Sequence, residues 1–149
     1  MNPDLEREIA RLLENYSISD VRQSVNKFVH SQRKRELTVV VNFGMHALPE
    51  DLLKGDTFFF SEGNVDLDAE NVDETISLLT KRATRFLRGK VWTDVYLIPS
   101  GHPLLVVLAT LIVYRVTRVN PTIVYYMNGE YFEAKLDVRR DAVGVNTLR

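Results

Sequence analysis

The sequence predicts an α/β domain built on a mainly parallel sheet flanked by helices. Three observations carry this reading. Strand-like runs alternate with helical stretches from residue 37 onward, one of those helical stretches is apolar almost throughout, and an Asn-Gly pair separates two strand-like runs near the end. A strand, helix, strand succession implies parallel crossovers, whereas Asn-Gly implies an antiparallel hairpin at one edge. With 149 residues, 45% of them apolar and 26% charged, the chain fits one such domain with a well-supplied core.

Residues 1–36 read as a helical hairpin appended to that domain. Asn2 is placed to cap, Pro3 suits a first helical position, and Leu5, Ile9, Leu12, Leu13 and Tyr16 recur at helical spacing. Ser19 is expected to cap a second helix with Val21, Val25, Phe28 and Val29 as its apolar stripe, and residues 31–36 form a polar linker. The main domain, residues 37–138, opens with Leu37-Thr38-Val39-Val40-Val41-Asn42-Phe43, the β-branched run of a strand buried on both faces. A loop over 44–55, with a short helix at 49–53, leads to the strand Thr57-Phe58-Phe59-Phe60-Ser61. An amphipathic helix follows, with Val72, Ile76, Leu79, Ala83, Phe86 and Leu87 on one face and Lys81, Arg82, Arg85 and Arg88 largely on the other. Gly89 ends it. Asp94-Val95-Tyr96-Leu97-Ile98 is the third strand, and Pro103 opens an apolar helix that runs to about Val119 and stops before Pro121. Residues 122–127 and 130–137 flank Asn128-Gly129 as the hairpin, and residues 139–149 form a tail without period.

Composition narrows the function classes. Nineteen basic against twenty acidic side chains leave a net charge of −1, which argues against duplex DNA and membrane surfaces as partners. Without cysteine there is no disulfide, thiolate metal site or cysteine nucleophile, and the first residues lack the basic and apolar regions of a secretory signal, so a cytoplasmic location is expected. The apolar run 104–114 is too short to span a membrane, which takes about 20 residues. GxGxxG, GxxxxGK[ST] and GxSxG loops are absent, and no two of the three histidines stand at metal-ligand spacing, so neither a metal nor a cofactor is expected.

In open parallel sheets ligands gather beyond the C-terminal ends of the strands. Three segments should converge there: Asn42-Phe43-Gly44-Met45-His46, Ser61-Glu62-Gly63-Asn64, and Ile98-Pro99-Ser100-Gly101-His102-Pro103. The third combines a glycine that admits a ligand to the backbone with a proline that starts a helix, the arrangement of an anion site. Ser100 is able to donate to a phosphate oxygen, and His102 to donate or to act as acid or base; the alternative is a plain strand-to-helix turn capped by Ser100 or His102. Asn42, Phe43, Gly44, His46, Ser61, Ser100, Gly101 and His102 are the candidate ligand-binding residues, with His102 and Ser100 the catalytic candidates. His30, beside a basic run, is read as a helix-dipole contact.

In order along the chain, Val41-Asn42-Phe43-Gly44-Met45-His46-Ala47-Leu48-Pro49 and Asp94-Val95-Tyr96-Leu97-Ile98-Pro99-Ser100-Gly101-His102-Pro103 resemble the compact CARF-like proteins of type III CRISPR systems, Rossmann-like sensors of cyclic oligoadenylates. The resemblance spans residues 37–137 and leaves out the N-terminal hairpin. It implies a nucleotide-binding homodimer with the ligand crevice on the symmetry axis, acting in antiviral defence. Some members of that family cleave the cyclic RNA without metal through the ribose 2′-hydroxyl, and others only bind it. For this chain it implies a standalone regulator, buffer or metal-independent ring nuclease, with Asn42, Ser100, Gly101 and His102 on phosphates and riboses and His46 beside them. A non-catalytic protein-interaction module, docking through the hairpin, is the rival reading. The all-round apolarity of the helix after Pro103 independently suggests a homodimer built on that helix or on the hairpin.

Overall fold

The computed structural model describes residues 3–44 and 47–137, and the chain divides into two compact units, Met1–Lys34 and Arg35–Arg149. Asn2, His46 and residues 138–149 lie outside the described residues, as does the side chain of His30.

The first unit is a pair of helices, α1 (Pro3–Asn15) and α2 (Ile18–Arg33). The cap of α2 is Ser17 and not Ser19 as expected: Ser17 Oγ accepts from the Asp20 amide at 3.2 Å and donates to the Asp20 carboxylate at 2.5 Å. Ser17 is thus the N-cap, with an acid at the third helical position that accepts from the capping hydroxyl, and Ser19 falls inside the first turn. Where side chains are described, every residue of the hairpin is exposed except the half-buried Val21.

The second unit is Rossmann-like α/β. Its elements are β1 (Glu36–Phe43), a 3₁₀ turn at Glu50–Leu52, β2 (Asp56–Glu62), α3 (Val72–Arg88), β3 (Asp94–Ile98), α4 (Pro103–Thr117), β4 (Thr122–Met127) and β5 (Glu130–Lys135). They form one sheet of order β2-β1-β3-β4-β5, with β1 to β4 parallel and β5 antiparallel to β4. From β1 the chain steps to β2 on one side and then crosses to β3 on the other. The order therefore reverses between β1 and β3, and at such a switch point a crevice opens beyond the strand ends.

The two faces of the sheet are covered differently. One carries the main core: Leu37, Val39 and Val41 of β1, Phe58 and Phe60 of β2, and Val95 and Leu97 of β3 pack on Ala83 and Leu87 of α3 and Leu105, Ala109, Ile112 and Val113 of α4. On the other face Val40, Ile98 and Val124 are buried under Leu48, Leu52 and Leu53 of the β1–β2 connection, with Phe59, Tyr96 and Tyr131 beside them. Lys54 extends that cover, since its ammonium lies 4.5 Å over the Tyr96 ring and pairs with Glu133 of β5 at 2.5 Å. Burial raises the Tyr96 phenol above its ordinary pKa, with the Lys54 charge acting in the opposite direction.

Helix ends follow local chemistry. α4 stops at Thr117, two residues before the expected Val119, because Arg118 adopts a left-handed conformation (φ 60°) and its amide bonds to the Tyr114 carbonyl at 2.9 Å. Asn128 and Gly129 both have positive φ, 53° and 88°, as a type I′ turn requires. None of the helices among the described residues is long and apolar enough to cross a membrane.

Where β1 and β2 begin side by side, Thr38 is fully buried and its hydroxyl both donates to the Lys54 carbonyl and accepts from the Lys54 amide, each at 2.8 Å. Gly55 follows at φ +67°, and a Cβ there would lie 2.1 Å from the Glu36 carbonyl oxygen. Backbone, not a flexible side chain, blocks the space. Gly55→Ala is expected to destabilise the protein by at least about 2 kcal/mol through left-handed strain and overlap, measured by urea denaturation; a loss below 0.5 kcal/mol contradicts the close approach.

Candidate functional site

The site is built on the C-terminal end of β1. In the β1–β3 register residue 40 faces residue 98, so Ser100 stands opposite Asn42, although the backbone of β3 has already turned away. Its side chain completes the ladder instead. Ser100 Oγ accepts from the Asn42 amide at 2.9 Å and donates to the Asn42 carbonyl at 2.6 Å. From the opposite neighbour Ser61, 2% exposed, donates to the Val41 carbonyl at 2.6 Å. The Gly63 amide then bonds to the Phe43 carbonyl at 2.8 Å. Ser100 thus continues the β1–β3 hydrogen-bond pattern past the end of β3, while Ser61 adds a side-chain bond to the β1–β2 pair.

Asn42 is the hub. It is 5% exposed, and its Nδ2 donates to the Gly63 carbonyl at 3.0 Å. Its Oδ1 is buried and accepts no hydrogen bond among the described residues. Gly101 presses on the same side chain: at φ +84° it has room for no Cβ, which would sit 2.6 Å from the Asn42 Cβ. The loop 99–102 thereby lies directly over the switch point.

His102 is the N-cap of α4, with Nδ1 accepting from the Leu104 amide at 3.1 Å. A neutral ring bonded in this way carries its proton on Nε2, the edge turned away from the helix. The amides of Leu105 and Val106 bond to the His102 carbonyl, whereas those of Gly101 and His102 make no hydrogen bond among the described residues. Two unbonded amides and one imidazole therefore stand in exposed residues at the positive end of a 15-residue helix.

A cleft opens on each side of the loop. The larger, about 570 Å³, is walled by Leu48, Ile98 and Val124 with Tyr126 and Tyr131, and the loop itself closes one end. The two tyrosine rings meet edge to face at 5.1 Å. The smaller, about 330 Å³, lies between His102 and Leu105 of the α4 start and the segment Gly63, Asn64, Val65, with Asp68 at its rim. Phe43 is 43% exposed, with its ring 4.4 Å from that of Phe59, and Gly44 takes φ +95° where the chain leaves β1.

Asn42, Phe43, Gly44, Ser61, Ser100, Gly101 and His102 are brought together, and His46 is outside the described residues. Their parts differ from one another: Ser61 and Ser100 bind main chain, Asn42 is sealed beneath Gly101, and only Gly101 and His102 offer free donors to solvent. Tyr126, Tyr131 and Leu48, which wall the larger cleft, are not among the sequence candidates; the adjacent aromatic pairs Tyr125-Tyr126 and Tyr131-Phe132 that flank Asn128-Gly129 are a signal for the two tyrosines, and none singles out Leu48. Among the described residues no group of three or more His, Asp or Glu side chains is arranged to hold a metal ion.

These features define an α/β Rossmann-like domain whose loop 99–102 lies over its switch point. No protein-family model, curated protein or solved structure matches the chain.

Removing the Ser100 hydroxyl leaves both main-chain groups of Asn42 without partners. Ser100→Ala is expected to lower stability by about 2–6 kcal/mol, at about 1–3 for each orphaned group. His102→Ala removes one helix cap, worth about 1 kcal/mol. Equal losses for the two variants in urea denaturation contradict the assignment of Ser100 as the clasp.

Proposed function

We propose that this chain binds a cyclic oligoadenylate second messenger of the type III CRISPR antiviral kind, as a standalone regulator, buffer or metal-independent ring nuclease. The observation that carries the reading is the loop 99–102: two unbonded amides and an imidazole at a helix N-terminus, over the β1–β3 switch point, with a cleft on either side. A phosphodiester takes the amides, and the adenine beside it takes the cleft walled by Tyr126 and Tyr131, whose rings supply stacking surface.

In this reading Ser100 is a positioning residue, since its proton already lies on the Asn42 carbonyl. Cleavage rests on His102. The ribose 2′-hydroxyl attacks the adjacent phosphorus and releases its proton to solvent, the bond from phosphorus to the 5′-oxygen breaks and that oxygen takes its proton from water, while the His102 Nε2–H supports the charge developing on the phosphoryl group by a hydrogen bond. A 2′,3′-cyclic phosphate and a 5′-hydroxyl result, and no metal takes part.

Titration with cyclic tri-, tetra- and hexa-adenylate is expected to raise the thermal midpoint with at least one ring size, because a ligand that binds only the native state stabilises it. His102→Ala should then lower single-turnover cleavage in the presence of a chelator by about 10²–10³-fold while weakening binding far less. Binding without cleavage by the wild type makes His102 a binding residue and the protein a sensor or buffer. No shift with any ring size overturns the reading. It leaves the rival, a non-catalytic interaction module, for which the exposed hairpin residues Ile9, Leu13, Tyr16, Val25 and Phe28 speak.

We infer also that the chain forms a homodimer. On α4, Val107 and Leu111 are 57% and 63% exposed and Leu104 lies one turn before them, a stripe at the spacing that packs helix on helix. A two-fold axis through this stripe makes the surface self-complementary. Light scattering at micromolar concentration is expected to give twice the chain mass, and Val107→Asp with Leu111→Asp to give monomers. A wild-type monomer contradicts the inference.

A further inference from the structure

A third cleft, of about 500 Å³, lies between the C-terminal ends of α3 and α4. It is lined by Thr80, Thr84 and Arg88 from α3 and by Ile112, Arg115 and Arg118 from α4. On α3 the two threonines and the arginine follow one another every four residues, so they form one row along the helix. On α4 Ile112, Arg115 and Arg118 follow every three residues, and Ile112, 6% exposed, provides an apolar floor.

Among the described residues no carboxylate lines the cleft. None of the three guanidiniums makes an ion pair or hydrogen bond among the described residues, and neither threonine hydroxyl is bonded there, in contrast to Thr110 and Thr117, which bond back to their own helix. In a protein of net charge −1, three cations and two hydroxyls converge with nothing to answer them.

A basic side chain in the last turn of a helix is ordinarily explained by the carbonyl end of the helix dipole. That suffices for Arg88 or Arg115 singly, but not for the hydroxyl row or for Arg118. Arg118 holds a left-handed conformation, φ 60°, at a helix end where glycine is the unstrained choice. The strain is kept at the one position that adds a third guanidinium to the cleft.

We propose that this cleft binds a compact polyphosphate, either free or as the tail of a nucleotide. Guanidinium forks match phosphate oxygens in pairs, and the threonine hydroxyls complete a set made of donors. The volume suits a chain of two or three phosphates, and the three arginines gather at one point where a nucleic-acid strand would be met by a stripe. The site is separate from the loop 99–102, which lies at the far end of α4, about 22 Å away at 1.5 Å per residue.

Calorimetric titration of the full chain with inorganic pyrophosphate, tripolyphosphate and adenosine triphosphate, at constant ionic strength, tests this. At least one is expected to bind, and sulfate at the same concentration is expected not to compete. Tighter binding of tripolyphosphate identifies the free anion as the ligand, and tighter binding of the nucleotide identifies a nucleotide tail. Arg118→Gly relieves the left-handed strain, so its thermal midpoint should be no lower than that of the wild type while polyphosphate affinity falls roughly 10- to 100-fold. Arg88→Gln with Arg115→Gln should lose binding likewise, and His102→Ala should keep it. No binding by the wild type, equal competition by sulfate, or unchanged affinity in Arg118→Gly overturns the proposal.

Discussion

The exchange between the Ser100 hydroxyl and the main chain of Asn42 is the constraint on which the upper edge of the sheet depends. Parallel strands at a switch point must part, because the chain leaves in opposite directions on either side of it. Parting exposes the last amide and carbonyl of the central strand, and buried main-chain groups without partners are costly. Ser100 supplies both partners from one oxygen, at 2.9 and 2.6 Å, and so permits β3 to end early and turn into α4. Gly101, packed on Asn42, and His102, capping α4, inherit their positions from that turn.

The same device recurs at the opposite end of β1. Thr38 bonds both main-chain groups of Lys54, so a hydroxyl secures the central strand to a neighbouring loop at each end. Between the clasps β1 is buried without interruption from Leu37 to Asn42, and one register satisfies both. Slippage by one residue would break each clasp and turn the valines that face α3 and α4 to the other side. At the sheet's outer edge on β2, Arg82 donates to the Phe59 carbonyl, which blunts an edge otherwise open to pairing with another chain.

Much of this was legible in the sequence where the signal is local. The β-branched run over 37–43, the apolar row of α3, Pro103 at the start of α4 and Asn128-Gly129 each specify an element from neighbours a few residues away. The N-cap of α2 at Ser17 is also local; reading Ser19 as the cap misses the three-residue spacing from Ser17 to Asp20. What could not be read was register. Asn42 and Ser100 are 58 residues apart, and only the pairing of β1 with β3 shows that the serine answers main chain. The larger cleft needs β4 and β5 beside β3, and the arginine cleft needs α3 and α4 on one face. Each of those arrangements is a property of strand order, which composition and periodicity do not encode.

The uneven cover of the sheet bears on how the molecule breathes. On the side of α3 and α4 the packing is continuous, and exposing it means losing the core. The opposite side is closed by Leu48, Leu52 and Leu53 and by the half-exposed pair of Lys54 and Glu133. A cover held by so few contacts opens at a lower free energy than the sheet beneath it. Amide protons of residues 47–54 should therefore trade with solvent deuterium well before those of β1 and β3, and each such excursion bares the floor of the tyrosine-walled cleft without unfolding the domain.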